Sequence, residues 1–218
     1  MSWDELREWM PQLLVAAGGT LKMTACAYVI AVIGGLLLAL ARRSRRRGVA
    51  AAAVWYVELV RGTPALTLLF LIYFGLASAG IVLSAFIAAV IGLGLNYAAY
   101  MSEVYRAGIA AVHHGQREAA LAIGMTNALA LRSVILPQAL RVVLPPLGNY
   151  AIGLLKDTSV ASSVAAPELS FRAHMLVDQT YLSTQIYLTV AVLYLAMSLP
   201  LARLVHSLER RMARGRVA

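Results

Sequence analysis

Long apolar blocks separated by polar or basic residues constrain this 218-residue chain more than any other feature. Hydrophobic residues make up 61% of the sequence and charged residues only 13%, whereas soluble domains carry about 25% charged residues. A helix of about 20 apolar residues crosses a bilayer, and the blocks are of this order. The sequence therefore predicts one all-α integral membrane domain over residues 1–218.

Five membrane spans are predicted, and the second of them is interrupted. They cover residues 13–41, 49–78, 81–108, 138–155 and 184–205. The interruption is Arg61-Gly62-Thr63-Pro64, in which Thr63 is expected to cap the following helix and Pro64 to be its first residue. A helix from Pro64 to Ala77 is about 21 Å long, short of a hydrocarbon core of about 30 Å. A bent or two-piece second span is therefore predicted.

Positive charge is concentrated beside the spans. The net charge is +9, with five arginines in residues 42–47 and five more between Arg203 and Arg216. Each cluster follows an apolar block, where basic residues mark the cytoplasmic side. We expect a multi-pass protein with its N-terminus outside and its C-terminus in the cytoplasm. A nucleic-acid partner is not expected, because basic residues interleaved with aromatics on a soluble fold are absent.

The loop at residues 109–137 is too polar to face lipid. Within it, Glu118-Ala119-Ala120 is followed by three residues and Gly124. This pattern predicts a short helix that a glycine ends in the left-handed conformation. Thr126 is then available to cap the next helix.

The same short helix carries a small apolar face. Ala119, Ala120 and Ile123 form this face, and Arg117 and Glu118 flank it. Such a face suits insertion into a groove of a soluble partner. It also suits packing against the chain's own membrane domain, and the residues alone leave both interpretations open.

Residues 118–137 resemble the EAA loop of ATP-binding-cassette importer permeases. That pattern is E-A-A, three residues, G, nine residues and I-x-L-P, and this chain departs from it only at Val134, where isoleucine is usual. The resemblance implies a coupling helix that docks on an ATPase subunit. The coupling residues it implies are Arg117, Glu118, Ala119, Ala120, Ile123, Gly124 and Met125.

Further segments resemble the polar amino-acid permeases of the histidine, glutamine and arginine type. These segments are Tyr56-Val57-Glu58-Leu59-Val60-Arg61-Gly62-Thr63-Pro64, residues 96–103, residues 156–159 and residues 167–169. The resemblance extends over residues 19–210. It implies the MetI-like transmembrane fold of type I importers and inward transport of amino acids by alternating access.

The resemblance also implies partners in the bacterial cytoplasmic membrane. They are a second permease subunit, identical or homologous, ATPase subunits, an extracytoplasmic solute-binding protein and membrane lipid. The chain has only two lysines, Lys22 and Lys156, and neither lies in a phosphate-binding G-x-x-x-x-G-K-[ST] loop. We therefore expect no enzyme activity and no cofactor in this chain, with ATP and magnesium used by the partner.

Ionisable residues inside the spans suggest two ion pairs. Glu58 and Arg61 are three positions apart on a helix, as are Glu103 and Arg106, so each pair can neutralise itself. A structural role for these pairs is favoured over direct contact with substrate, because charges in a bilayer usually face a partner inside the bundle.

Polar side chains on two helices are candidates for a substrate pathway. Asn96, Tyr100 and Glu103 share one helical face, and Asn149 and Lys156 share another. Asp157, Thr158 and Ser159 are expected at the outer end of span four, where they would cap a helix or face the binding protein. These groups fit a pathway for an amino acid, and they also fit hydrogen bonds between helices.

The motifs disfavour a metal site and a membrane hydrolase. His113 and His114 are adjacent and point to different faces of a helix, so no metal site is predicted. Neither H-E-x-x-H nor G-x-S-x-G occurs, so a membrane hydrolase lacks its usual residues. A passive channel and a permease for another small polar solute are the alternatives to an amino-acid importer.

Overall fold

A computed structural model describes residues 3–213, with side chains from Arg7 to Met212, and contains no β-strand in this part of the chain. The helices are α1 (Trp3–Ala41), α2 (Arg47–Gly62), α3 (Ala65–Phe70), α4 (Leu76–Ser78), α5 (Ala85–Ala110), α6 (His114–Ala122), α7 (Asn127–Ala130), α8 (Leu136–Asp157), α9 (Leu169–Thr180) and α10 (Ser183–Ala213). Two π-helical turns, Leu71–Gly75 and Leu131–Ile135, and a 3₁₀-helix, Thr158–Val164, lie between them.

Four helical stretches are long and apolar enough to cross a membrane: Arg7–Ala41, Ala85–Ala110, Asn127–Val164 and Ser183–Met212. The fifth candidate is a pair, Arg47–Gly62 and Ala65–Ser78, bent by 112°. The prediction of about five spans with a broken second span is therefore confirmed.

The predicted capping at that break is wrong in its details. Thr63 ends α2, and its hydroxyl donates to the carbonyl oxygen of Leu59 at 2.8 Å. Pro64, with an extended backbone, precedes α3 and lies outside its first turn. The Thr63 side chain therefore satisfies a carbonyl at the end of one helix and does not cap the start of the next.

Helices α1 and α5 run parallel and form the most extensive interface of the bundle. Their backbones approach closely because glycines face the neighbouring helix. A methyl group at Gly35 would lie 2.7 Å from Met101 Cβ, and one at Gly94 would lie 2.8 Å from Ile30 Cβ. Real Cβ atoms essentially never show such distances, so this packing requires glycine at both positions.

Helix α8 packs antiparallel to α5 in the same core. Val143 lies against Gly108 near one end of α5, and Gly153 lies against Tyr97 at its middle. Tyr28 of α1 donates its hydroxyl to the Leu147 carbonyl oxygen at 3.1 Å, which ties α8 to α1 as well. The three helices therefore form the frame that positions the remaining elements.

A second layer forms where the sequence predicted only a polar connection, at residues 156–183. Helix α9 buries Leu169, Ala173 and Leu176, at offsets of four and seven, and packs on Leu13 of α1 and Ile186 of α10. Its first turn is capped by the Glu168 carboxylate, which accepts from two backbone N–H groups. Apolar residues recur with the 3.6-residue period of a helix within this polar segment. The prediction of a simple polar connection overlooked that signal.

Candidate functional site

A cavity of about 420 Å³ lies where the broken helix meets the centre of the bundle. The cavity lies level with the middle of α5, because Tyr97, which lines it, is the thirteenth of the 26 residues of that helix. The lining residues come from the α2–α3 break, from α5 and from α8. They are Arg61, Gly62, Thr63, Pro64, Ala65, Asn96, Tyr97, Tyr100, Tyr150 and Asp157.

The cavity carries one cation and one anion on different walls. The Arg61 guanidinium lies over the Tyr100 ring, 5.7 Å from its centroid. The Asp157 carboxylate accepts the Tyr97 hydroxyl proton at 2.7 Å. Within the described residues no ion pair joins Arg61 to Asp157. Opposite charges are therefore presented to the cavity without neutralising each other directly.

Three tyrosine rings surround the space between these charges. The Tyr97 and Tyr150 centroids are 5.9 Å apart and the rings are perpendicular, while Tyr100 lies 6.0 Å from Tyr150 and 6.2 Å from Tyr97. Such edge contacts between aromatic rings are stabilising. The rings give the cavity an apolar wall whose faces attract cations.

Glu103 lies at the centre of a charged cluster beside the cavity. Its carboxylate binds Arg42, lies 2.7 Å from Arg106 Nη2 and lies 3.8 Å from Arg61 Nη1. The predicted pair of Glu103 with Arg106 is present in this geometry. Glu103, which was also a candidate for the pathway, does not line the cavity and lies beside it.

The predicted pair of Glu58 with Arg61 is not formed. The Glu58 side chain is exposed on α2 and is in no ion pair among the described residues. Arg61 turns toward the Glu103 carboxylate and the Tyr100 ring instead. The Glu103 side chain is only 19% exposed, whereas Glu58 is exposed, so water screens the attraction between Glu103 and Arg61 less.

The predicted pathway residues are only partly brought together. Asn96, Tyr100 and Asp157 line the cavity. Asn149, Lys156, Thr158 and Ser159 do not line it. Asn149 donates to Glu209 Oε1 at 3.4 Å, and the Thr158 hydroxyl is buried against the Leu155 carbonyl oxygen.

The expected location of the end of α8 was also wrong. Asp157 ends α8, but it contacts Tyr97 and therefore lies level with the middle of α5. Thr158 is buried, so it does not face an external partner. The sequence placed this end at the outer surface because the whole segment after Leu155 was taken to lie outside the bundle.

Arg61, Tyr97 and Tyr150 are cavity residues that sequence reasoning missed or assigned to another role. A helical signal was available for two of them. Tyr97 and Tyr100 are three positions apart, and Tyr150 and Asp157 are seven apart, so each pair shares a helix face. That the two faces meet depends on the antiparallel packing of α5 and α8, which no single segment encodes.

The EAA-like loop folds as two short helices joined by a left-handed glycine. Gly124 has φ of +85°. The Met125 N–H donates to the Ala120 carbonyl oxygen and the Gly124 N–H to that of Leu121, which is a Schellman ending. The Thr126 hydroxyl accepts from the Leu129 N–H at 3.3 Å. The predicted glycine stop and threonine cap are both confirmed.

The residues of the apolar face predicted on α6 do not all have the same environment. Ala120 is buried in the chain's own domain, while Ile123 is 80% exposed and Ala119 is exposed. Arg117 donates to Asn127 Oδ1 at 2.8 Å and so holds α6 against α7. Ala120 therefore packs inside the chain's own domain, whereas Ala119 and Ile123 at the end of the helix are exposed.

A polar cavity at a broken helix, inside a bundle of apolar helices, is the arrangement of membrane permeases. The comparisons identify the family. The chain belongs to the family of binding-protein-dependent transport system inner membrane components, whose model matches residues 31–214. It is a multi-pass transport subunit of that inner-membrane class.

Individual relatives extend over almost the whole chain. A probable amino-acid permease protein of Bacillus subtilis (strain 168) is 37% identical, covering 98% of this chain and 97% of the relative. The glutamine transport system permease protein of Escherichia coli (strain K12) is 36% identical, covering 96% and 97%.

Solved structures agree with this assignment. A crystal structure of an amino acid ABC transporter with histidines has a TM-score of 0.92 and 38% identity, covering 97% of this chain and 99% of that chain. An inward-facing methionine ABC transporter shares the fold, with a TM-score of 0.70, 21% identity and coverage of 97% and 99%.

Proposed function

We propose that this permease carries amino acids into the cytoplasm and that the solute passes through the cavity between Arg61 and Asp157. The presence of a cation and an anion on different walls of the same cavity, not paired with each other, carries the proposal. A free amino acid has the complementary pair, a carboxylate and an ammonium group. The relatives whose printed names include amino acids or glutamine support the same solute class.

Each end of a zwitterion finds a matching group in the cavity. Arg61 presents a guanidinium, which suits a carboxylate because it can donate two parallel hydrogen bonds. Asp157 and the tyrosine faces suit an ammonium group through a charged hydrogen bond and cation–π contacts. A volume of about 420 Å³ is within the range of pockets for small ligands. The buried Asn96 amide adds a neutral hydrogen-bonding group.

The broken second span gives the cavity a means of opening. Residues 61–65 form part of the cavity wall and join α2 to α3, where the chain direction bends by 112°. Transporter sites commonly lie at such discontinuous helices near the bilayer midplane, and rocking of the surrounding bundle opens them to each side in turn. The pathway therefore alternates between outward and inward access around the Arg61–Asp157 cavity.

Energy comes from a separate ATPase that docks on α6. Ile123 and Ala119 present the contact, and the Schellman ending at Gly124 fixes the direction of the chain into α7. A solute-binding protein delivers the amino acid from outside, and a second permease copy or homologue completes the transporter. The arginine-rich turn at residues 42–47 faces the cytoplasm, with the N-terminus outside.

Reconstitution with partner ATPase subunits and the binding protein tests the proposal. Uptake of radiolabelled amino acids into proteoliposomes should require ATP and should saturate. Uptake that is equal with and without ATP would instead identify a passive channel. Transport of sugars or inorganic ions with no amino acid accepted would overturn the solute class while leaving the ATP-driven mechanism in place.

A further inference from the structure

A charged cluster around Glu103 lies next to the central cavity of the proposed pathway. The Glu103 side chain is 19% exposed and belongs to α5, one turn after the cavity residue Tyr100. Three arginines from different parts of the chain reach its carboxylate. They are Arg42 from the turn after α1, Arg61 from the end of α2 and Arg106 from α5 itself. The cluster therefore joins the wall of the cavity to the arginine-rich turn.

The three arginines do not bind this carboxylate equally. Arg106 donates to Oε2 of Glu103 at 2.8 Å, and Arg42 donates to Oε1. The nearest guanidinium nitrogen of Arg61 lies 3.8 Å from Oε1, beyond the roughly 2.7–3.2 Å of an N–H···O hydrogen bond. Arg61 is therefore the arginine that Glu103 holds most weakly, and its N–H donors are not used up by this carboxylate.

The Arg61 side chain lies between the Glu103 carboxylate and the cavity. It lines the cavity, and its guanidinium lies 5.7 Å from the centroid of the Tyr100 ring. Tyr100 and Glu103 are three positions apart on α5, so they lie on one face of that helix on successive turns. The same guanidinium is therefore within reach of a ligand in the cavity and of Glu103 beside it.

A carboxylate that enters the cavity competes with Glu103 for this guanidinium. In direct contact it can accept two parallel hydrogen bonds from Arg61, which is a stronger arrangement than an ion pair at 3.8 Å. Breaking a buried ion pair is costly when it leaves an uncompensated charge. Glu103 keeps Arg42 and Arg106 when Arg61 turns away, so the exchange leaves its carboxylate neutralised.

The contact between Arg61 and Glu103 also connects two parts of the fold. Arg61 is next to the last residue of α2, at the break where the chain direction bends by 112°. Glu103 belongs to α5 and binds Arg42, which directly follows α1. The contact is therefore a charged link between the broken second span and the closely packed pair of α1 and α5, and it is lost when Arg61 turns to a ligand.

We propose that Glu103 is a positioning residue that competes with the carboxylate of the solute for Arg61. Glu103 holds the guanidinium at the edge of the empty cavity, and the carboxylate of an entering amino acid takes it over. The competition lowers the affinity of the cavity and so favours release, since a solute on a conduction path must bind weakly enough to leave. This inference rests on the proposed passage of an amino acid between Arg61 and Asp157.

Equilibrium binding to the intact transporter tests the competition. The transporter with its ATPase subunits is held in nanodiscs without the binding protein, each standard amino acid is tested, and the one bound most tightly is used as the radiolabelled probe. Glu103→Gln should bind this probe about two- to fivefold more tightly than the wild type, the size of a partly exposed ion pair, because the competing carboxylate is removed. Glu103→Asp keeps the charge and should return the affinity toward the wild-type value.

Two further variants separate competition for Arg61 from a general effect of charge. In an Arg61→Gln background, Glu103→Gln should no longer tighten binding. The double variant Glu103→Gln and Arg42→Gln keeps the net charge of the cluster and should still bind the probe more tightly, because the competing carboxylate is absent. Thermal melting shows whether each variant is folded, and the double variant replaces Glu103→Gln if the single change leaves the arginines too poorly neutralised to fold.

Three results would overturn the inference. One is unchanged or weaker binding by the folded Glu103→Gln variant. Another is the same tightening in the Arg61→Gln background, because Glu103 would then act without Arg61. The third is a tightening by Glu103→Gln that the charge-matched double variant lacks, because net charge would then explain it.

Failure of the proposed function gives a different result. In that case no standard amino acid binds, or Arg61→Gln and Asp157→Asn both bind the probe as tightly as the wild type does. If these two variants bind weakly and Glu103→Gln has no effect, the cavity stands as the solute site and only the role of Glu103 is wrong.

Discussion

The central cavity and the α6 loop differ in how the sequence encodes them. The loop is one contiguous segment, and its helix, glycine stop and threonine cap follow from residues at most a few positions apart. The cavity is assembled from the α2–α3 break, the middle of α5 and the end of α8. Local chemistry therefore determines the proposed docking element, whereas packing of distant helices determines the proposed solute cavity.

The two regions also differ in how their charges are used. In the cavity, Arg61 and Asp157 both line the space without pairing with each other, and Arg61 also lies 3.8 Å from Glu103. On the loop, Arg117 is bound to Asn127, and the exposed contact surface is apolar. We infer that the cavity recognises charge and the loop recognises shape, and substitutions at each region can separate these roles.

The largest effect is expected at the cavity charges. Asp157→Asn and Arg61→Gln should each raise the substrate concentration for half-maximal uptake by about 10- to 100-fold, because each removes a charged hydrogen bond to the zwitterion. Proteoliposome uptake with partner ATPases measures the change. Glu58→Gln, an exposed carboxylate outside the cavity, is the control and should behave like the wild type. Normal uptake by both cavity variants would remove these residues from the pathway.

The next effect is expected at the glycine that ends α6. Gly124→Val places a β-branched residue at φ of +85°, where even an ordinary side chain costs roughly 1–2 kcal/mol. The connection to α7 should then deform, and the uptake supported per ATP hydrolysed should fall several-fold while membrane insertion is retained. Gly48→Val is the matched control, because Gly48 has open space around it and ordinary helical backbone. Equal coupling in the two variants would contradict a transmitting role for this helix ending.

A smaller effect is expected from trimming the exposed face of α6. Ile123→Ala should weaken binding of the ATPase subunit by about threefold to tenfold, in line with the loss of one apolar contact at an interface. In a Cys26→Ser background, Ile123→Cys should crosslink to the ATPase and the buried Ala120→Cys should not. Capture through position 120 and not through position 123 would reverse the assignment of the two faces.

The smallest effect is expected at Glu168. This residue is buried, and its carboxylate caps the first turn of α9. Burial raises the pKa of its carboxyl, whereas the unfolded chain titrates near the ordinary value of about 4.3. The contribution of this group to stability is therefore greatest at low pH and falls as pH rises from that ordinary value through the raised native value. Glu168→Gln should flatten this part of the pH dependence of the melting temperature and leave substrate affinity unchanged. A steeper dependence in the variant, or a loss of substrate affinity, would contradict this role.

The number of spans, the broken second helix and the EAA-like loop were predictable because each depends on local composition or on short spacing. The predicted Glu58–Arg61 pair failed because helix spacing alone does not include Glu103, which Arg61 meets only when α2 packs on α5. Asp157 was placed at the outer surface for a similar reason, since its depth depends on the alignment of α8 with α5. Helix α9 was missed although Leu169, Ala173 and Leu176 share the period of a buried helix face.

Competition by modified amino acids tests the zwitterion cavity most directly. ATP-driven uptake of a radiolabelled amino acid is measured in the presence of the unlabelled amino acid, its decarboxylated amine or its N-acetylated form, with the binding protein replaced by a high concentration of free solute. The cavity predicts that the intact amino acid competes and that both one-charge analogues compete at least about tenfold less well. Equal competition by the amine and by the acetylated acid would contradict recognition by Arg61 and Asp157 together.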